Sequence, residues 1–177
     1  LQAKVDAIPD NGSTPNVPSE TFTLTTGVDT FTGTDKNDVF NASVLTANDG
    51  DTLDGGAGVD TLNVETASSL TDKFKTTSVE VVNLNALGAV SVDTKNMTGV
   101  TELNSNNATG NVTVNNIANT TTTFGIKGSS VNNLDLNYGT GVLNGTADKL
   151  TVALNGSTAT TIGADAGFES VEVKTTA

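Results

Sequence analysis

The apolar residues of this chain fall in short alternations rather than in helical stripes. From Thr21 onward Thr, Val and Asn dominate, and each brief apolar run is bounded by Gly or Asn. β-Branched residues at this density predict strands. Leu70–Thr76 is the only stretch that reads as a helical turn. Downstream of about Phe74 the predicted strands are Val79–Leu84, Ala89–Asp93, Val100–Leu103, Asn111–Asn115, Thr123–Ile126, Leu134–Leu136, Leu150–Leu154 and Val171–Val173. The phrase Ser78-Val79-Glu80-Val81 returns as Ser170-Val171-Glu172-Val173, each time shortly after a Phe (Phe74, Phe168). Such self-similarity points to a repeat architecture.

Upstream the period is tighter. Between Leu24 and Asn63 an Asp followed two residues later by a large apolar residue recurs as Asp29/Phe31, Asp38/Phe40, Asp51/Leu53 and Asp60/Leu62. The intervals are nine, thirteen and nine residues, with Ala42–Leu45 as a four-residue insertion. A β-sandwich wants longer strands and bulkier apolar side chains, whereas only 4% of this chain is aromatic. A coil of short strands fills its narrow interior with Val, Leu, Ile and Ala and leaves Asn, Thr and Asp for the corners. The expected fold is therefore all-β, a β-solenoid.

Composition narrows the chemistry. The 177 residues include no His, Cys, Trp or Arg, and 20 acids against eight lysines give a net charge of −12. Zinc sites of the usual kind, thiol nucleophiles and a Ser–His–Asp triad are excluded by the missing residues. The acidic balance disfavours nucleic acid and anionic membranes and favours cations. No apolar run approaches the ~20 residues of a membrane helix. All three prolines (Pro9, Pro15, Pro18) lie in residues 1–20, which reads as a linker, with Leu1–Ile8 as the frayed end of a preceding helix. An opening on Leu1 and a strand-like ending at Ser170–Ala177 suggest a piece of a longer protein.

The most specific motif is Gly55-Gly56-Ala57-Gly58-Val59-Asp60-Thr61-Leu62-Asn63, which satisfies G-G-x-G-x-D-x-U-x at every specified position. Six residues make a turn in which glycines allow positive φ, and three make a strand with one large inward side chain. If successive nonapeptides form opposite halves of a coil, Asp29 faces Asp51 and Asp38 faces Asp60. Stacked carboxylates repel, and a hard cation ringed by oxygens would relieve them; Ca²⁺ tolerates such loose geometry better than Mg²⁺.

Over Leu24–Asn63 the sequence resembles the RTX family of calcium-binding β-rolls, exported by bacterial type I secretion. The resemblance implies Ca²⁺ held by Asp29, Asp38, Asp51 and Asp60 with loop carbonyls, Gly27, Gly55 and Ala57 among them. Lys36 stands where a glycine is usual, and Asp35, Asp49 and Asp54 are extra acids that could compensate. The phrases FTLTTGVDTFTG and GTxxND, with the strand-rich tail, look like RTX-bearing S-layer proteins. The implied organisation is a linker (1–20), a calcium-binding roll (21–65) and an irregular β-helix (66–177) continuous with it.

The expected function is structural and not enzymatic. The chain reads as an extracellular, self-assembling component of a bacterial surface layer or fibre, with Ca²⁺ bound and other regions available to cell-surface polysaccharide. An adhesin stalk and the tail of a type I-secreted enzyme are the alternatives; no H-E-x-x-H or G-x-S-x-G occurs here. Glu80, Glu102 and Glu172 read as outward-facing charges, Tyr138 as a residue at a rung edge, and Asp135, Asp148 and Asp165 as solvated corners.

Overall fold

A computed structural model describes residues 18–128, 132–157 and 160–176, and among these every regular element is a strand. The chain winds as a β-solenoid of about seven turns with parallel pairing throughout. One wall is an unbroken eight-stranded sheet. It comprises β1 (Thr21–Thr23), β3 (Val39–Ala42), β5 (Thr61–Thr66), β7 (Val81–Ala86), β9 (Glu102–Asn106), β11 (Thr123–Lys127), β13 (Lys149–Asn155) and β15 (Ser170–Thr176). The opposite wall is split. Its first part holds β2 (Thr30–Thr32), β4 (Asp51–Asp54) and β6 (Phe74–Thr77); its second holds β8 (Val90–Asp93), β10 (Val112–Ile117), β12 (Asn132–Tyr138) and β14 (Thr160–Ala164).

The nine-residue period explains the winding. Each nonapeptide supplies one corner and one short strand, so two of them complete a coil. Val39 accordingly pairs with Thr21, 18 positions earlier, whereas Thr61 pairs with Val39 across 22. The extra four residues are absorbed at a corner, where the Ser43 amide donates to Thr46 Oγ1 (2.7 Å) and the Thr46 amide to the Ser43 carbonyl (3.0 Å). Beyond residue 65 the Asp-Gly signature is gone, yet the eight-stranded wall continues without a break.

Alternation within each strand builds the interior. Phe22, Phe40, Leu62, Val82, Leu103, Phe124, Val152 and Val173 stand in one register column, and Ala42, Val64, Leu84, Ser105, Ile126 and Leu154 in the next. Phe40, Leu53, Leu62 and Val82 are fully buried. The facing wall contributes Leu53, Phe74, Val92, Val114 and Leu136 to the same core. The outer face of the eight-stranded wall carries an amide ladder: Asn63, Asn83 and Asn104 each donate from Nδ2 to the Oδ1 of the Asn one coil back, every bond 2.9 Å.

Several sequence expectations shift. Leu70–Thr76 forms no helical turn: Leu70 makes an isolated bridge with Val92, and Phe74 opens β6. Burying Leu70 and Phe74 in the core outweighs local helix propensity there. The expected strand at Val79–Leu84 begins at Val81, because Ser78 adopts φ +51° and Val79–Glu80 form the corner. The strand β14 was not expected; Thr160–Ala164 contains one large apolar residue, Ile162. The linker assigned to residues 1–20 and the helix end at Leu1–Ile8 lie almost wholly outside the described residues.

Truncating the central Leu62 to Ala opens a void in a narrow core and should cost about 2–5 kcal/mol. Urea denaturation measures this, and Val28→Ala, at an exposed corner (68%), should change stability by less than about 0.5 kcal/mol.

Candidate functional site

The winding brings the four motif aspartates into two columns. Asp29 and Asp51 share one, and Asp38 and Asp60 share the other, each pair 22 residues apart. Asp38, Asp51 and Asp60 are fully buried and Asp29 is nearly so (8%). In these columns a backbone amide lies between successive carboxylates. The Asp29 amide donates to Asp51 Oδ1 (2.9 Å), the Asp38 amide to Asp60 Oδ1 (2.7 Å) and the Glu20 amide to Asp38 Oδ1 (2.6 Å). Each carboxylate thereby caps the backbone of the preceding coil.

The second oxygen of most of these groups is satisfied inside its own loop. Asp38 Oδ2 accepts from the amide and hydroxyl of Thr34, Asp29 from the amide and hydroxyl of Thr25, and Asp51 Oδ2 from the Asn48 amide. Thr34 and Thr25 thus do with a hydroxyl what the glycines of the complete motif cannot. Burial opposes ionisation of Asp38, but the Thr34 and Glu20 amides with the Thr34 hydroxyl hold its carboxyl below the ordinary range.

Asp60 differs. The amide that would complete it belongs to Gly56 and donates instead to Asp54 Oδ1 (3.1 Å), which leaves Asp60 Oδ2 buried without a hydrogen-bond partner. Burial pushes the Asp60 carboxyl up; the Asp38 amide opposes the rise, while the charges of Glu80, Asp38 and Asp54 reinforce it. Beside this oxygen lies Gly55, where a Cβ would come within 2.5 Å of Asp60 Oδ2 and collide with the Ser78 carbonyl oxygen. Ser78, which supplies that carbonyl, has φ +51°. Gly33 repeats the arrangement one coil earlier, with its absent Cβ 2.6 Å from Asp38 Oδ2 and overlapping the Gly55 carbonyl oxygen.

The remaining sequence candidates sit elsewhere. Asp35 is exposed and pairs with Lys36 (3.5 Å), and Asp49 pairs with Lys73 (2.7 Å). The Gly27 carbonyl accepts from Asn48 Nδ2 (3.0 Å), and the Ala57 amide donates to the Thr34 carbonyl (3.0 Å). Glu80 is not simply an outward charge: its Oε2 accepts the Asp60 amide (2.9 Å) and extends the second column by a coil. The signal was its position, since Glu80 precedes Val81-Val82 as Asp60 precedes Thr61-Leu62. Glu102 pairs with Lys127 (2.7 Å) and Glu172 with Lys149 (2.8 Å). Asp148 and Asp165 also cap backbone amides, those of Gly145 and Tyr138. Tyr138 packs edge-on against Phe124 and Phe168, and burial pushes its hydroxyl up to about 12.

Among the described residues no three acidic side chains converge on one point. A cation at these loops would therefore have to draw on backbone carbonyls as well as carboxylates. The cradle at Gly55 supplies two oxygens toward such a set, the unpartnered Asp60 Oδ2 and the Ser78 carbonyl. No protein-family model matches this chain, and no curated protein matches it in sequence.

The two buried carboxylates predict opposite pH responses in chelator. Asp38→Asn sets an amide donor against the Thr34 amide and should cost about 2–4 kcal/mol at pH 7. Because the folded-state value of Asp38 is lowered, that cost should shrink as pH falls below the ordinary 3.8. Asp60→Asn keeps an acceptor for the Asp38 amide and should be neutral or stabilising at pH 7. Since the folded-state value of Asp60 is raised, wild type should gain on this variant as pH falls through that value toward 3.8. Urea titrations from pH 7 to 3 measure both.

Proposed function

We propose that this chain is a non-catalytic structural segment of a bacterial surface layer or fibre, held in its folded form by Ca²⁺ at the nonapeptide loops. The observation that carries the reading is Asp60 Oδ2, an anionic oxygen shut away from water with no donor to balance it. Burying an unpaired charge is costly, and a divalent cation shared with the Ser78 carbonyl removes the cost. Ca²⁺ suits the position better than Mg²⁺ because it accepts irregular shells rich in carbonyl oxygens, whereas Mg²⁺ demands a compact octahedron.

Binding at such a site is coupled to folding. The cradle brings together Gly55, Asp60 and Ser78 from successive coils, and an unwound chain has no equivalent. A cation that binds only the wound form adds its binding free energy to stability. The reading as an extracellular structural component follows from the same features. The net charge of −12 suits a calcium-rich exterior, and Glu102 and Glu172 are engaged by lysines rather than poised for acid–base work. The long parallel wall supplies stiffness, since every coil is hydrogen-bonded to its neighbours.

Saturating Ca²⁺, at about 100 times its dissociation constant, should raise the melting temperature by roughly 5–10 °C over the chelated protein. Equimolar Mg²⁺ should do less, and Asp60→Asn should lose most of the calcium increment. Far-UV circular dichroism melts with and without EDTA measure it. Superimposable melts would remove the calcium mechanism, and electron microscopy of the calcium-loaded protein tests for sheets or fibres.

A further inference from the structure

The corners that lead from the split wall back to the eight-stranded wall stack on one another through the first coils. The Ala57 amide donates to the Thr34 carbonyl (3.0 Å), the Thr98 amide to the Thr76 carbonyl (3.0 Å) and the Thr101 amide to the Glu80 carbonyl (2.9 Å). Gly99 lies so close to Ser78 that an added Cβ would meet its backbone at 3.2 Å. One coil later this stacking stops. Among the described residues no backbone hydrogen bond joins residues 95–100 to residues 117–122; the Thr122 hydroxyl, donating to the Val100 carbonyl (3.2 Å), ties the two corners at one edge. The cause is local. Asn119 Oδ1 accepts the amides of Thr121 (2.9 Å) and Thr122 (3.1 Å), so this corner satisfies those amides within itself rather than on the coil before it.

The gap between these corners is a cavity of about 240 Å³, lined by the side chains of Met97, Val100, Leu103, Ile117, Ala118 and Phe124. Leu103, Ile117 and Phe124 are buried in the core, whereas Ala118 and Asn119 are exposed, so the cavity runs from the interior to an open mouth at the corner. Its lining is that of a small-molecule site, apolar with a few polar groups at the rim. An apolar cavity of about 150 Å³ accepts a benzene ring, so this one has room for a second fused ring. Phe124 supplies an aromatic ring to pack against. Met97, the one methionine of the chain, supplies a flexible thioether that adjusts to an irregular outline.

We propose that this cavity is a binding site for a small neutral ring compound of one or two fused rings. Charge decides against an ionic ligand. Among the residues that line the cavity Lys95 alone is charged, and its Nζ is held by Asp72 (2.8 Å) and Asp93 (3.7 Å). An anion would therefore meet a neutralised lysine on a chain of net charge −12, and a cation would find no carboxylate in the lining. The inference goes beyond the structural reading above and does not depend on it, since none of these residues belongs to the nonapeptide loops.

Indole, neutral and of two fused rings, is the ligand for the test. Titrated into the calcium-loaded chain and followed by ¹H–¹⁵N correlation spectra, it should give saturable shifts confined to residues 94–103 and 117–124. Indole-3-carboxylate, the same ring with a charge, should bind at least tenfold more weakly. Val100→Phe, which fills the space with protein, should weaken indole at least tenfold while keeping the wild-type dichroism spectrum. Ala118→Leu, at the exposed mouth, should weaken it several-fold and serves if the larger change disturbs the fold. Shifts that fail to saturate or spread over the whole chain, a carboxylate that binds as well as indole, or wild-type indole affinity in either folded variant would each overturn the proposal. A missing calcium melting shift with indole binding intact would count against the calcium reading alone.

Discussion

The first coils depend on the hydrogen bond from a backbone amide of one coil to a carboxylate of the next. A parallel solenoid of short strands must turn a corner every few residues, and each corner exposes amides that the walls cannot satisfy. Asp38, Asp51, Asp60 and Glu80 reach back across the coil boundary and accept these amides. Along the eight-stranded wall the column passes from acids (Asp38, Asp60, Glu80) through hydroxyls (Thr101, Thr122) to apolar groups (Leu150, Val171). The same backbone position is thus first capped by charge and later packed by hydrocarbon.

This capping reshapes the expected electrostatics. Acids stacked directly would repel one another, but with amides interleaved each negative group meets the positive end of a peptide dipole before it meets its neighbour. The arrangement is complete at Asp38 and incomplete at Asp60, and the difference traces to Thr34 against Gly56. The fullest match to the nonapeptide pattern is therefore the least satisfied by the protein itself. Glycines that open room around an acid also remove the hydroxyl that would have neutralised it.

Much of this was legible in the residues. The nine-residue spacing of Asp29/Phe31 through Asp60/Leu62 fixed which side chains share a column, and the thirteen-residue interval pointed to an insertion at Ala42–Leu45, one residue ahead of the corner at Ser43–Thr46 because Ala42 still belongs to β3. Past residue 65 the legibility fell, because strand limits there depend on backbone at Ser78, ahead of β7, and Asn107, just after β9, both at positive φ without being glycine. The asparagine ladder was written plainly, as an Asn after the inward residue in Phe40-Asn41, Leu62-Asn63, Val82-Asn83 and Leu103-Asn104. It is masked in the sequence because asparagine is so common in this chain that no single occurrence stands out. The role of Glu80 was hidden for a different reason: a longer side chain took over a position held by Asp one coil earlier.

The corner at Ser43–Thr46 bears on how such a chain can change over time. Spacing between register partners in the eight-stranded wall ranges from 18 residues (Thr21 to Val39) to 28 (Thr123 to Thr151), while the strands stay aligned. Length is thus free at the corners and fixed along the walls. Segments inserted at a bend would jut from the side of the rod without altering its diameter or axial repeat, so a lineage could vary what the outside displays while inheriting the same shaft.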